Sequence, residues 1–160
     1  MSRVLGTFLD LVRVDSPTGR ERAVGEALAS MLSEAGCDVR FDDTGAVTGS
    51  DSGNLLARLP GSAPGLVVAF SAHMDCVQPC EGVEPVVSEG FVRSAGDTVL
   101  GGDDKVGLAA IVEAVRRLSE SGTPHPDVRI VLTVSEENGL RGAKALDAKE
   151  CVADLCLVLD

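Results

Sequence analysis

Apolar positions recur along the chain with two periods, one typical of helices and the other typical of strands. Helical spacing predicts helices over residues 4–14, 20–34 and 105–118, with a short helix around 143–147. Short apolar or alternating runs predict strands over residues 39–41, 54–59, 66–70, 128–134 and 155–160. Residues 86–93, with Glu89 and Gly90 in the middle, predict a small hairpin. This alternation of helices and strands indicates a layered α/β domain.

The same runs predict which segments are buried. Residues 66–70 and 128–134 are continuously apolar, as expected for strands that are buried on both faces. Residues 155–160 are interpreted as a further core strand, whereas the polar, glycine-rich residues 42–53 are predicted to form a loop. Because chain ends are usually exposed and loosely held, a chain that stops on a core strand is expected to belong to a longer protein.

Composition restricts the class of protein. The 160 residues, 44% of them hydrophobic, are expected to form one folded domain. The net charge of −11 argues against nucleic acid or an anionic membrane as a partner, because phosphate contacts need clustered Lys and Arg. No apolar run approaches the roughly 20 residues that span a bilayer, and residues 1–6 lack the features of a signal peptide. With five unevenly spaced cysteines, these features predict a reduced, cytoplasmic protein.

Four groups of histidine or carboxylate residues follow predicted strands or begin a predicted helix. They are His73-Met74-Asp75, Asp103-Asp104, Glu136-Glu137 and Asp160. In an open α/β sheet, ligand sites form beyond the carboxyl ends of the strands. We therefore expect these groups to converge.

His73 and Asp75 are two residues apart, so in an extended segment their side chains point the same way. Asp75 can then hydrogen-bond one ring nitrogen while the other nitrogen binds a metal ion. The alternative interpretation is a lone histidine in a polar loop.

Paired carboxylates stand at two other places. At the predicted helix start, one of Asp103 and Asp104 can cap the helix while the other reaches outward as a ligand, and a simple N-cap is an equally good interpretation. Glu136 and Glu137 would repel each other unless a cation or a shared proton relieves them. This pair suggests a ligand, Glu137, beside a general base, Glu136, although a solvated acidic turn stays open. Asp160 is either a further ligand or an exposed chain end.

The segments in combination are more specific than any one of them. The runs Ser71-Ala72-His73-Met74-Asp75, Leu100-Gly101-Gly102-Asp103-Asp104-Lys105-Val106-Gly107 and Thr133-Val134-Ser135-Glu136-Glu137 come in this order, after an early turn, Ser16-Pro17-Thr18-Gly19. Together they resemble the peptidase T branch of the aminoacylase and tripeptidase family of metallopeptidases. The resemblance covers nearly the whole chain.

The resemblance implies two zinc ions, which in co-catalytic sites lie about 3.5–4 Å apart. His73 and Asp160 would bind the first ion, Glu137 would bind the second, and Asp103 would bridge both. It also implies a three-layer α/β/α fold with a mixed, mostly parallel sheet.

The resemblance further implies that Asp75 orients His73 and that Glu136 takes a proton from the attacking water. The implied function is zinc-dependent hydrolysis of amide bonds in short peptides by a cytoplasmic aminopeptidase that acts on tripeptides. An N-acyl amino acid amidohydrolase on the same scaffold would share these residues, so it stays open, as does an inactive metal-binding fragment. A homodimer is expected for the full-length protein.

Two features depart from the family pattern. The family's second zinc takes another histidine from near the end of a longer chain, but the other histidine here, His125, lies in a proline-bounded loop and is expected at the surface. The family's inserted lid and dimerisation domain is also not found. Residues 1–160 are therefore expected to be the N-terminal part of a catalytic domain, nearly inactive in isolation. Cys76 and Cys80 are interpreted as small apolar side chains rather than ligands of a structural zinc site, because the C-x2-C pairs of such a site are absent.

Overall fold

The helices and strands of the computed structural model follow the predicted alternation over residues 2–160, the part of the chain that the structure describes; Met1 of the predicted domain lies outside it. The helices are α1 (Arg3–Val12), α2 (Arg22–Glu34), α3 (Gly45–Thr48), α4 (Gly102–Ser121) and α5 (Arg141–Ala145), with a 3₁₀ turn at Ala148–Cys151. The strands are β1 (Asp38–Phe41), β2 (Leu55–Leu59), β3 (Val68–His73), β4 (Pro85–Ser88), β5 (Phe91–Ser94), β6 (Val128–Thr133) and β7 (Leu155–Val158).

The main sheet is mixed, as predicted, with the strand order β1-β2-β6-β3-β7. Strands β1 and β2 pair antiparallel, as do β2 and β6, whereas β3 runs parallel to both β6 and β7. The register sets His73 beside Thr133 and Ser71 beside Val158. The carboxyl ends of β6, β3 and β7 therefore meet at one edge of the sheet. Strands β4 and β5 form the predicted hairpin apart from this sheet.

One face of the sheet is covered by α1, α2 and α4, whose apolar stripes form the core. Fully buried side chains on these helices, such as Leu11, Leu28 and Leu108, belong to the same cluster as Ile130 and Leu132 on β6. Each such side chain contributes about 1.5–3 kcal/mol by leaving water. The opposite face carries the outward side chains of β1, β2 and β6, and the 3₁₀ turn flanks it.

Helix α4 is held at both ends and tied to α1. Gly101 before it and Gly122 after it have φ values of 73° and 61°, a left-handed conformation that glycine adopts at little cost. Arg3 on α1 bonds to Glu113 at 2.7 Å and also to Glu120, so the two helices are clamped by ion pairs. Among residues 2–160, no helix is both long enough and apolar enough to cross a bilayer.

Three local expectations are corrected. The predicted loop at residues 42–53 contains the short α3, because the Asp42 carboxylate accepts from the backbone and hydroxyl of Thr44 just before it. Strand β3 begins at Val68 and is only partly buried rather than buried on both faces. Residues 155–160 are not a core strand: β7 is an edge strand of the main sheet, pairs with β3 alone, and is exposed along its length.

Candidate metal centre

The predicted groups converge at the edge where the three parallel strands end. His73 is the last residue of β3, while Glu136 and Glu137 follow β6 and Asp160 follows β7. Asp103 reaches the same place from the first turn of α4. The convergence arises because parallel neighbours present equivalent ends to the same side of a sheet.

The His73 ring is buried, with 3% of its side chain exposed, and both of its nitrogens have contacts. Nδ1 lies 2.9 Å from the backbone oxygen of Asp75. Since a carbonyl oxygen only accepts, Nδ1 carries the proton and donates it there. Nε2 faces the opposite way, 2.9 Å from Oδ1 of Asp103 and 3.7 Å from Oδ1 of Asp160. With Nδ1 as the donor to the backbone, Nε2 is the ring nitrogen that can bind a metal ion in place of a proton.

Two opposing effects set the charge of the His73 ring. Burial lowers the pKa of His73, but contacts with the carboxylates of Asp75 and Asp103 outweigh it and raise that pKa to about 9. The surroundings therefore favour positive charge at this position. A divalent cation satisfies the same carboxylates.

The two adjacent aspartates at the start of α4 have different surroundings. Asp103 has the non-helical angles φ −86° and ψ 111°, and its side chain is 67% exposed at the site. Asp104 turns inward, where its Oδ1 accepts from the backbone of Gly107 at 3.0 Å. Burial raises the pKa of Asp104 to about 6. A side chain at position 107 would place its Cβ 2.2 Å from Oδ1 of Asp104, so this cap requires glycine.

Two sets of ligand atoms lie close enough together to hold a metal ion. One set is His73, Asp103 and Asp160, and the other is His73, Glu136 and Glu137, each with its ligand atoms within 4.8 Å of one another. Ligand atoms on a tetrahedral zinc ion, at about 2.0–2.1 Å from it, lie about 3.3 Å apart. The observed distances from Nε2 of His73, 2.9 and 3.7 Å, bracket this value. An imidazole nitrogen among carboxylate oxygens is a donor set that suits a divalent metal ion.

Asp75 contacts the backbone that carries the two glutamates. Its Oδ1 accepts from the amide of Glu136 at 2.9 Å, and its Oδ2 accepts from the amide of Glu137 at 3.1 Å. The Asp75 carboxylate lies 3.5 Å from Nδ1 of His73, so the nearer partner of the ring is the backbone oxygen of the same residue. Asp75 therefore links β3 to the loop after β6.

Glu137 lies at the edge of this group of acids. Burial raises the pKa of the Glu137 carboxyl group, His73 opposes this effect, and Asp103 and Glu136 add to it. A cation bound among these acids would offset their mutual repulsion.

The sequence pattern did not identify three polar side chains at the site as functional residues. Thr18 donates its hydroxyl to Oδ2 of Asp75 at 2.8 Å, while Glu21 and Asn54 are fully buried and accept from the backbone after β6. Glu21 comes soon after the Thr18-Gly19 turn and Asn54 precedes β2, but neither has a spacing that marks it as buried. Only the fold brings them to the site.

His125 lies away from the centre, whereas Cys76 directly follows Asp75 in the chain. His125 precedes β6, at the strand end opposite Glu137, and its Nδ1 lies 2.8 Å from the backbone oxygen of Pro126. Cys76 and Cys80 are buried free thiols. Within residues 2–160, neither cysteine joins a group of three potential metal ligands.

Comparisons with known proteins identify related sequences and structures. The profile of "Peptidase family M28" matches residues 54–156. The uncharacterized protein YqjE of Bacillus subtilis (strain 168) is 44% identical over 158 residues, which are 99% of this chain and 43% of that protein. The crystal structure of aminopeptidase PepT from Bacillus cereus ATCC 10987 superposes with a TM-score of 0.95 at 42% identity, over 99% of this chain and 43% of that one.

A tripeptidase from Staphylococcus aureus subsp. aureus Mu50 is similar in the same way. Its structure gives a TM-score of 0.94 at 36% identity, and again 99% of this chain covers 43% of that one. These matches confirm the resemblance to peptidase T and the α/β fold. The chain spans less than half the length of these relatives.

Proposed function

The chain belongs to peptidase family M28, and from that premise we propose that it supplies the metal-binding part of a zinc-dependent aminopeptidase that acts on short peptides. Support comes from the likeness to PepT and to a tripeptidase over 99% of this chain. Residues 1–160 would then be the N-terminal part of the catalytic domain. The lid and dimerisation domain and the C-terminal catalytic part would lie outside it.

One observation carries the proposal: Nε2 of His73 and Oδ1 of both Asp103 and Asp160 meet where parallel strands end. These three side chains would hold the first zinc ion, with Asp103 shared with the second ion and Glu137 binding that second ion. When bound, paired zinc ions acidify the attacking water and stabilise the negative charge that develops on the carbonyl oxygen.

The remaining roles belong to side chains of the chain itself. Glu136 would take the proton of the attacking water at its carboxylate and pass it to the leaving amine. Its backbone is held by Asp75 at 2.9 Å, which limits where its side chain can reach. Asp75 would also fix the His73 ring, because its backbone oxygen accepts the Nδ1 proton and leaves Nε2 facing the ligands.

A substrate panel with metal removal tests this function. Purified full-length protein should release N-terminal residues from tripeptides and should lose this activity in a chelator. Added zinc should restore the activity, because the imidazole and carboxylate donors suit that ion. The measurement is the initial rate of residue release with tripeptides, dipeptides and N-acyl amino acids as substrates.

Each other result of the panel has a defined meaning. Preferential hydrolysis of N-acyl amino acids would favour the amidohydrolase instead. Zinc-loaded protein that cleaves neither class would contradict the proposed function. The 160-residue chain alone should be nearly inactive, because the proposed ligands give its second ion only Asp103 and Glu137, fewer than the three protein ligands of a catalytic zinc site.

Two further expectations stay predictions. A homodimer of the full-length protein would be seen by light scattering coupled to size-exclusion chromatography. A cytoplasmic location would be tested by cell fractionation. Neither affects the assignment of the ligands.

A further inference from the structure

The backbone that leads from β6 to the two glutamates is held at successive residues by buried side chains. The amide of Val134 donates to Oδ1 of Asn54 at 3.0 Å, and the amide of Ser135 donates to Oε1 of Glu21 at 3.0 Å. The next amides, those of Glu136 and Glu137, donate to Asp75. Three side chains from distant parts of the sequence thus hold four consecutive backbone groups.

Glu21, like Asp75, is a carboxylate with no exposed surface, and it reaches the loop from the start of α2. All of its partners are donors. Oε1 accepts from the amide of Gly19 at 2.9 Å and from the amide and hydroxyl of Ser135 at 3.0 and 3.3 Å. Oε2 accepts from the hydroxyl of Ser50 at 2.5 Å. A buried carboxylate persists only when it is satisfied in this way.

The backbone of Ser135 has a conformation that needs stabilising contacts. Its φ is 54°, a left-handed conformation that a serine adopts at a cost. This conformation turns the chain at the end of β6, directly before Glu136. Neighbouring contacts must therefore hold it: Glu21 accepts from the amide and hydroxyl of Ser135, and the Ser135 carbonyl accepts from the amide of Arg141.

We propose that Glu21 is a positioning residue of the reaction: its carboxylate holds Ser135 in the turned conformation and thereby places Glu136 and Glu137 at the metal centre. Glu21 lies beneath the loop and would act only through Ser135, without touching the substrate. The kinetic part of this inference rests on the proposed function, whereas the structural part does not.

Two substitutions of similar side-chain length distinguish the loss of the hydrogen-bond acceptor at position 21 from a change in side-chain volume. Glu21→Gln keeps an oxygen for the amides of Gly19 and Ser135, and its amide nitrogen can donate to the hydroxyl of Ser50. Glu21→Met keeps the length of the side chain and removes every acceptor. Glu113→Gln is the matched control, because it changes another largely buried carboxylate that bonds to Arg3 and Arg117, far from the loop in the fold.

Hydrogen exchange of the full-length protein, measured by mass spectrometry on peptides spanning residues 134–137, reports the protection of the backbone amides in this loop. Glu21→Met should speed exchange of these amides about ten- to hundredfold, the effect of losing a hydrogen bond to a charged group. Glu21→Gln and Glu113→Gln should leave it unchanged. A folded Glu21→Met protein with wild-type exchange in this segment would overturn the proposal.

If Glu21→Met does not fold, hydrogen exchange of Glu21→Gln tests the proposal. Retained protection of the segment in Glu21→Gln supports the role of the acceptor. A folded Glu21→Gln protein whose loop exchanges rapidly overturns it, because the acceptor would then be present without holding the loop.

Kinetics tests the consequence for the reaction. Per folded, zinc-loaded molecule, Glu21→Met should lower kcat about 100-fold with KM changed less than about threefold, because misplacing a reacting group by about 1 Å costs that much. A purely structural role would lower the folded fraction and leave kcat intact, which would overturn the kinetic part. Wild-type protein that hydrolyses no peptide would instead refute the proposed function, while hydrogen exchange would still decide the position of the loop.

Discussion

Asp75 shows how one side chain can serve two parts of a site. Burial raises the pKa of its carboxyl group, but the contact with His73 and the hydrogen bonds from Glu136, Thr18 and Glu137 outweigh burial and hold that pKa below its usual range. A carboxylate that accepts several such bonds is stabilised in its charged form. Asp75 can therefore stay ionised inside the protein while it holds β3 against the loop after β6.

For another single residue of the site, Glu136, the substitution Glu136→Gln should abolish most of the activity. General-base catalysis contributes about 10²- to 10⁴-fold, so kcat should fall by that factor because glutamine cannot accept the proton. The bound zinc should stay as in the wild type, whereas Glu137→Gln should reduce it. Steady-state kinetics and metal analysis of both variants measure this difference. Wild-type turnover by Glu136→Gln would rule out its role as the base.

The helix clamp between α1 and α4 belongs to the scale of elements. Glu113 on α4 receives hydrogen bonds from Arg3 and Arg117, which lower the pKa of Glu113 from 4.5 to about 2. A group whose pKa is depressed on folding stabilises the protein above its unfolded pKa. This contribution is lost as the pH falls from 4.5 towards 2.

Glu113→Gln should therefore destabilise the protein near neutral pH, and less so in acid. The difference in free energy of unfolding between wild type and variant should shrink as the pH is lowered from about 5 to 3. Denaturant titrations at several pH values measure it. A difference that stays constant over this range would mean that the ion pair contributes little.

The sheet is the other element that matters for function, because its parallel strands bring the ligands together. Sequence periodicity predicted β6 within one residue and α4 within three residues at each end, since both have long apolar stripes. It missed α3, which is four residues long and follows a polar turn. Its burial prediction failed for β7, because an apolar run does not reveal that its strand lies at the edge of the sheet. It also failed for β3, an inner strand that is only partly buried.

At the scale of the whole molecule, the acidic balance and the converging ligands predict that metal binding stabilises the fold. A ligand at about 100 times its dissociation constant adds about 2.7 kcal/mol to the free energy of unfolding. Zinc should raise the melting temperature of the wild-type protein and should be found at one ion or more per chain. Thermal denaturation and metal analysis measure these effects.

The two histidines of the chain provide a matched pair of variants for this experiment. His73→Ala should abolish the effect of zinc, because it removes the imidazole nitrogen from the ligand set His73, Asp103 and Asp160 that would hold the first ion. His125→Ala should leave the effect unchanged, since His125 lies at the opposite end of β6. Equal loss in both variants would show that zinc binds elsewhere.

The sequence by itself determined the order of helices and strands and the residue types available for chemistry at His73, Asp103, Glu136, Glu137 and Asp160. Periodicity depends on neighbours along the chain, and motif residues can be identified from the sequence because they stand at the ends of apolar runs. Tertiary structure alone decided that Asp104 caps α4 while Asp103 reaches the site, and that Nε2 of His73 faces the ligands. It alone brought the Glu21 carboxylate under Ser135, 114 residues away, because burial and long-range hydrogen bonds depend on which segments the fold packs together.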